Sequence, residues 1–591
     1  MKQNDKSSFT GLILMAAILI IFQIFVFDNT SEQINHKENT EQFDSNQQDS
    51  KKENEIVTPL DIDIKEVLTE EFYTLENDKI KLEFTNKGGE ISSAVIKGYH
   101  SYEEYKKNLD DETYKSKDIE IFKNKDSKFE IKGDRNINTN SFFSVVEENN
   151  SISFKKDYEN NSYIKYTYTL DDKKPYFVDL SIESEGISNP ELIWTIAAPE
   201  TEKSKTNQEQ YTGFYYQEDY SKDVKYTWDN EEFKTNKFKT EISWIAFKQQ
   251  FFSTIINAKN NNFDNGTAFK VLNSEEDEYI KVMSLRTQLE NGESNYSIYF
   301  GPNDYNDLKS YDLGYENILP LGFMWIDTIV NKYIIIKLFN FLKNSAGLEN
   351  FGIIILLLTL IIKFSLSPFT YKSYLSQAKM KVLKPEIDKI NEKHKEKDPL
   401  KAQQESMNLY RKAGVNPMGG CLPMLFQFPI LIAMFRFFPA SLDLRQNAFL
   451  WADDLSAYDS IYKLGFEIPF YGDHISLFTL LMCISTLMYT HMNSQMTGNQ
   501  MPGMKFMMYL MPVLFLGFFN NYASALSYYY FLANIFTFSQ MYFMRKFVDE
   551  KAILAQLEEN KKKPRKKSKF QKKLEELQRK QEQQLKNRKK K

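Results

Sequence analysis

Residues 351–369, FGIIILLLTLIIKFSLSPF, set the terms for the whole chain. The nineteen residues are almost wholly apolar and carry one charge, Lys363. At 1.5 Å per residue a helix of this length is about 28 Å long, close to the ~30 Å hydrocarbon core of a bilayer. The stretch therefore predicts a transmembrane helix. A cation inside such a span is costly and invites a functional explanation. Thr359, Lys363, Ser367 and Thr370 follow spacings of 4, 4 and 3, which lays them along one helical face. The structural alternative is a lysine that snorkels, because only about 9 Å of helix separates it from Phe369.

Around this stretch the 591 residues divide by texture. The net charge of -5 is strongly polarised: residues 545–591 hold 19 Lys/Arg and 7 Asp/Glu, a net of +12, which leaves -17 for the rest. The two cysteines, Cys421 and Cys483, both lie at or inside apolar runs, so a disulfide framework in the soluble part is excluded. The five histidines form no HxxxH or HxH pair, and no metal or other cofactor is expected.

Residues 1–28 contain an apolar run preceded by Lys2 and Lys6, too long for a cleaved signal and read as a signal-anchor helix with its N-terminus in the cytoplasm. Residues 29–59 are a polar linker that cannot bury enough surface to fold. From 60 to 319 short alternating runs appear: Ile80, Leu82 and Phe84; Ile164, Tyr166, Tyr168 and Leu170; Val178, Leu180 and Ile182. Turn signals at 86–89 (NKGG) and 171–175 punctuate them, which predicts one large exported antiparallel β-sandwich. Its many carboxylates read as solvated strand faces rather than as a glycosidase pair. Residues 320–345, apolar but interrupted by Asp327, Asn331, Lys332 and Lys337, predict an amphipathic helix at the membrane surface.

The region 346–544 reads as an all-α core of five transmembrane helices at about 351–369, 422–438, 475–492, 506–519 and 522–544. A basic helical hairpin at 371–420 lies between the first two, and a basic tail at 545–591 closes the chain. Six spans with the N-terminus inside put the hairpin and the tail in the cytoplasm and the acidic sandwich outside, as the positive-inside bias requires. Within the bundle, Gln427 lies between Pro423 and Pro429, and Tyr530, Asn534 and Thr537 follow spacings of 4 and 3 on one face. Together with Thr359 and Lys363 these are the candidate groove residues, with interhelical hydrogen bonding as the structural alternative. The sequence has no Walker motif, no intramembrane acidic relay and no inverted repeat, which weakens ATPase, pump and transporter readings.

Residues 415–429 (VNPMGGCLPMLFQFP), 444–459 (LRQNAFLWADDLSAYD), 244–252 (WIAFKQQFF) and 300–302 (FGP) then carry a likeness. With them the chain resembles the YidC family of membrane protein insertases in the Oxa/Alb superfamily, in the long Gram-negative form with an exported domain. The resemblance implies five core spans after an extra first anchor, and a groove open to the cytoplasm and to lipid. It aligns Lys363 with a groove cation that is arginine in most members, so the charge is kept and the bidentate fork is lost. It puts Thr359, Gln427, Tyr530, Asn534 and Thr537 at groove or substrate-contact positions. It likens the sandwich to a galactose-mutarotase supersandwich without making it an enzyme.

The expected function is insertion of nascent membrane proteins from a polar groove into lipid, in the bacterial inner membrane, with no enzymatic chemistry and no small-molecule substrate. The expected partners are the ribosome, through ribosomal RNA at the basic tail, the Sec translocon on family grounds, and the lipid bilayer. A channel or small-solute transporter and a membrane-anchored glycan-binding protein are the competing classes.

Overall fold

Alternating side chains build the first half of the computed structural model. Along the strand Tyr163–Leu170, Ile164, Tyr166, Tyr168 and Leu170 are buried and the residues between them are half-buried. The next strand, Phe177–Glu185, pairs with it and buries Val178, Leu180 and Ile182 on the same side. The turn between them is closed by Asp171, whose Oδ1 accepts the N–H groups of Lys173 and Lys174 at 2.8 and 3.0 Å. At the 86–89 turn Gly88 and Gly89 take φ of 89° and 62°. A Cβ on Gly89 would also lie 2.9 Å from the side chains of Phe154 and Tyr166, so glycine is required there for space as well as conformation.

The structure describes residues 69–562, apart from 124–126, 134–138, 140, 220–223, 228–229, 236–240, 265, 275–277, 291, 323, 395–398, 417–418, 420–421 and 497–501. The anchor expected at 1–28, the linker at 29–59 and the tail beyond 562 lie outside the described residues. Contacts divide the chain into two units, Met1–Phe323 with Pro439–Asn447, and Met324–Phe438 with Ala448–Lys591.

The first unit is an antiparallel β-sandwich. Its nine-stranded sheet runs from Val224–Thr227 at one edge, through Phe252–Ala258 and Gly292–Pro302, to Ser144–Glu148 at the other. A five-stranded sheet contains Glu191–Pro199 and Tyr279–Gln288, and a four-stranded sheet runs from Phe72–Glu76 to Ile119–Phe122. Aromatic side chains join the layers: Phe129 meets both Tyr166 and Trp194 edge-on, and Phe84 packs on Tyr168 at 4.8 Å. The same unit holds Pro439–Asn447 by a buried ion pair. Arg445 Nε and Nη2 donate to Glu202 Oε2 and Oε1 at 2.8 and 3.0 Å, and Gln250 Nε2 donates to the Pro439 carbonyl at 2.8 Å.

The second unit is helical: α1 (Phe351–His394), α2 (Pro399–Ala413), α3 (Leu422–Ala440), α4 (Leu477–Met496), α5 (Pro502–Asn520), α6 (Ser524–Phe547) and α7 (Glu550–Lys562). Before them, residues 325–345 are helical, with π-turns at Asn331–Ile335 and Phe341–Ser345. The polar residues there divide: Lys337 is exposed and Lys332 half-buried, whereas Asp327 and Asn331 turn inward. Asp327 is buried and caps the helix by accepting the Met324 N–H at 2.8 Å, and Asn331 is buried and donates to the Ala433 carbonyl at 2.8 Å. Trp325 and Tyr333 are exposed as well.

One difference concerns the boundary after Phe369. Helix α1 does not end there; it continues for 44 residues with Pro368 and Pro385 inside it. Proline removes one backbone donor in each case, but the buried sequence Ser373, Gln377, Met380, Leu383 and Ile387 keeps helical spacing and holds the second half in place. That half packs against α2, and α7 covers both. Ala378, Met380, Leu383, Ala413, Val415, Ile553 and Leu557 form one core, flanked by ion pairs from Lys381 to Glu550 at 2.7 Å and Lys561 to Glu386 at 2.6 Å. The first part of the expected tail is therefore a folded helix. Among the described residues α1 alone is long and apolar enough to span a bilayer by length and hydropathy, with shorter apolar helical stretches at Phe426–Ala440 and Phe506–Asn520.

Candidate functional site

Lys363 lies one helical turn beyond Thr359 on the face of α1 that turns toward the other helices. Its side chain is 7% exposed, so the amine points into the bundle. Nζ donates to Gln427 Oε1 of α3 at 3.1 Å and to Thr537 Oγ1 of α6 at 3.0 Å. Among the described residues no carboxylate pairs with it. An ammonium has three donors, and neutral side chains of this bundle take two.

The backbone below the lysine is also engaged. Gln540 Nε2 of α6 donates to the Lys363 carbonyl at 3.1 Å and to Ser367 Oγ at 2.8 Å, while Ser367 Oγ donates to the same carbonyl at 3.1 Å. Thr537 Oγ1 itself donates to the Ala533 carbonyl at 2.7 Å, which leaves its lone pairs aimed at the lysine. Helices α1 and α3 meet again at Phe369 and Phe426, with ring centroids 4.4 Å apart.

The six candidate residues do not form one constellation. Lys363, Gln427 and Thr537 come together. Asn534 turns to α4, where its Nδ2 donates to Ser485 Oγ at 2.9 Å and Thr486 Oγ1 at 3.0 Å. Thr359 is fully buried and spends its hydroxyl on the Ile355 carbonyl at 2.7 Å, and the Tyr530 ring packs near Phe519 and Tyr529. Gln540, Ser485 and Thr486 were not singled out from the sequence. Gln540 stands three residues beyond Thr537 on the same face, which was a readable signal; the two hydroxyls on α4 had none.

Chemically, the Lys363 cluster is a desolvated cation on neutral acceptors that can exchange. The two contacts are already charge-assisted on the donor side, so a peptide carbonyl brought to the amine would replace Gln427 Oε1 on about equal terms, whereas a carboxylate would bind more strongly.

Comparison with known proteins bears on the whole chain. Residues 341–552 match the family model described as 60Kd inner membrane protein, and residues 73–335 match the YidC periplasmic domain. The membrane protein insertase YidC of Parabacteroides distasonis is 39% identical over 554 residues, covering 88% of this chain and 84% of that protein. The chain belongs to the YidC family. The YidC of Amoebophilus asiaticus is 34% identical over 95% of each chain, and that of Bacteroides fragilis 37% identical over 88% of this chain. Against this family resemblance, the structural likeness of the sandwich to solved proteins is weak. A galactose mutarotase-like protein from Lactobacillus casei covers 39% of this chain at 13% identity with a TM-score of 0.25, and it carries no argument about this chain.

Proposed function

We infer that this chain is a membrane protein insertase of the bacterial inner membrane, with a periplasmic β-domain, that acts on nascent membrane proteins without covalent chemistry. The observation that carries the mechanism is the buried Lys363 amine, held among the described residues by the neutral side chains of Gln427 and Thr537. In this reading α1, α3, α4, α5 and α6 cross the membrane together with the N-terminal anchor. Both termini and the α1–α2 hairpin are cytoplasmic, and the β-sandwich and the loop before α4 are periplasmic.

A nascent segment reaches the hairpin first. Its polar flank exchanges with Gln427 and Thr537 at Lys363 while its apolar part moves past the Tyr530, Asn534 and Thr359 positions into lipid. Burial of apolar surface at roughly 25 cal/mol per Å² drives the step. The basic tail suits ribosomal RNA by general electrostatics, and the Sec translocon is a second proposed partner.

The test compares Lys363→Ala with Lys363→Arg in a strain depleted of its own insertase, scoring insertion of a small substrate with an acidic exported tail. Arginine should support insertion and alanine should not. Full insertion by the alanine variant would overturn the role of the charge.

A further inference from the structure

The loop before α4 carries a feature that insertion through the Lys363 cluster does not use. Strands Tyr462–Ile468 and Gly472–Ile475 form a β-hairpin outside the larger sheets. Tyr462 is 63% exposed, Phe466 62% and Phe470, at the tip, 96%. Ile461 and Ile468 are exposed beside them. A water-facing hairpin places polar residues at such positions; this one exposes mostly apolar and aromatic side chains, with Lys463 and Glu467 between them.

The tip conformation is equally costly. Phe470 has φ of 66°, the left-handed region that a side chain of this size rarely adopts and that glycine takes freely. A strained, almost fully exposed phenylalanine demands something that rewards it.

The base of the hairpin is bolted to the ends of two apolar helices. Asn520, the last residue of α5, donates through Nδ2 to the carbonyls of Tyr471 at 2.9 Å and His474 at 2.8 Å. Asn521 Nδ2 donates to the same Tyr471 carbonyl at 2.8 Å. Asn520 Oδ1 accepts the Ser476 N–H at 3.0 Å, one residue before α4 begins. Space for a Cβ on Gly517 of α5 is taken by the Phe470 carbonyl, 2.8 Å away. The exposed apolar surface of α4 and α5, which includes Ile484, Met488, Val513 and Leu514, thus ends in the helix termini that hold the hairpin.

We propose that this hairpin is a lipid anchor whose aromatic tip, centred on Phe470, enters the interface of the periplasmic leaflet. The proposal rests on the multi-pass reading above, in which α4 and α5 end at that interface. Tyr462 has the amphipathic ring that favours this zone, Phe466 and Phe470 offer apolar rings to its acyl side, and the rigid polar base fixes how far the tip reaches.

The test places the photoreactive residue p-benzoylphenylalanine at Phe470, Val513 or Met407 of the full-length chain, in nanodiscs of phosphatidylethanolamine and phosphatidylglycerol. Lipid adducts are read by mass spectrometry. Val513 reports the membrane face of α5, and the exposed Met407 on α2 reports background. Adducts at Phe470 and Val513 about tenfold above Met407 are expected, as burial of a large apolar side chain predicts. An adduct at Val513 with none at Phe470 overturns the anchor and leaves the spans intact. No adduct at either overturns the membrane reading and the anchor with it. A crosslink from Phe470 to a second polypeptide in place of lipid also overturns the proposal. Phe470→Gly relieves the backbone and keeps the fold, so with the probe at Phe466 it should lower the lipid yield about tenfold; an unchanged yield would count against the tip.

Discussion

Lys248 in the β unit and Lys363 in the helical unit are both buried, and among the described residues neither faces a carboxylate. They are held in opposite ways. Lys248 Nζ donates to the backbone carbonyls of Tyr211 at 3.0 Å and Gln249 at 3.1 Å, with the rings of Tyr211 and Tyr215 each 5.5 Å away. Those carbonyls belong to the main chain, at the end of the helix Lys205–Tyr211 and just after the strand Ile242–Lys248, and cannot leave without moving the backbone. Lys363 donates to an amide and a hydroxyl on two other helices, and both acceptors can swing aside by rotating a side chain. Two lysines in similar burial are therefore held differently, one by main chain that must stay and the other by side chains that can turn away, as the function proposed for Lys363 needs. Arg445 adds a third arrangement, a buried cation with a bidentate carboxylate partner.

The largest expected effect belongs to that third case. Arg445→Ala strands the Glu202 carboxylate, 7% exposed, and should destabilise the β unit by about 3–5 kcal/mol. A thermal melt of the detergent-solubilised protein checks it, and a shift near zero would mean that Pro439–Asn447 is not held by the pair. Next comes Lys363→Ala, which removes a charged hydrogen-bond donor and should slow insertion by roughly 10- to 100-fold. Lys248→Met should leave insertion in the same assay unchanged; equal losses in both variants would erase the distinction between the two lysines.

Gly352→Ala tests how tightly α1 is seated. The added Cβ would lie 2.1 Å from the Phe449 ring, so overpacking should cost about 1–3 kcal/mol in the melting of the helical unit. A further effect concerns pH. Desolvation pushes the Lys248 amine down to about 7 from its ordinary 10.5. Between these values the unfolded chain binds the extra proton, so this group makes stability rise with pH across the window, by at most about 1.4 kcal/mol per pH unit. Below the folded value both states are protonated and its contribution is flat. Lys248→Met should remove that slope in denaturant titrations at pH 7, 8 and 9.

The β unit was legible wherever one face is buried and the other wet, because period-two alternation is then written directly in residues such as Ile164, Tyr166, Tyr168 and Leu170. The Lys363 stripe was legible for the analogous helical reason. What was missed has physical causes. The apolar run marks a span that ends near Phe369, whereas tertiary packing of Leu383 and Ile387 carries the helix itself onward. Helix α7 hid inside a run of lysines, although Ile553 and Leu557 stand at i and i+4. The Arg445–Glu202 pair joins residues 243 positions apart, a closeness that no local pattern encodes.

The continuity of α1 has a mechanical consequence. At 1.5 Å per residue its 44 residues make a rod about 66 Å long, with Lys363 near one third of its length and the α2–α7 core farther along. Pro368, five residues past the lysine, lacks the N–H that would restrain the Phe364 carbonyl. Torque applied where α2 and α7 grip the rod is thus delivered through a joint immediately beside the charge. A bend in the rod would cost least at that joint, and the lysine would lie on its Phe351 side.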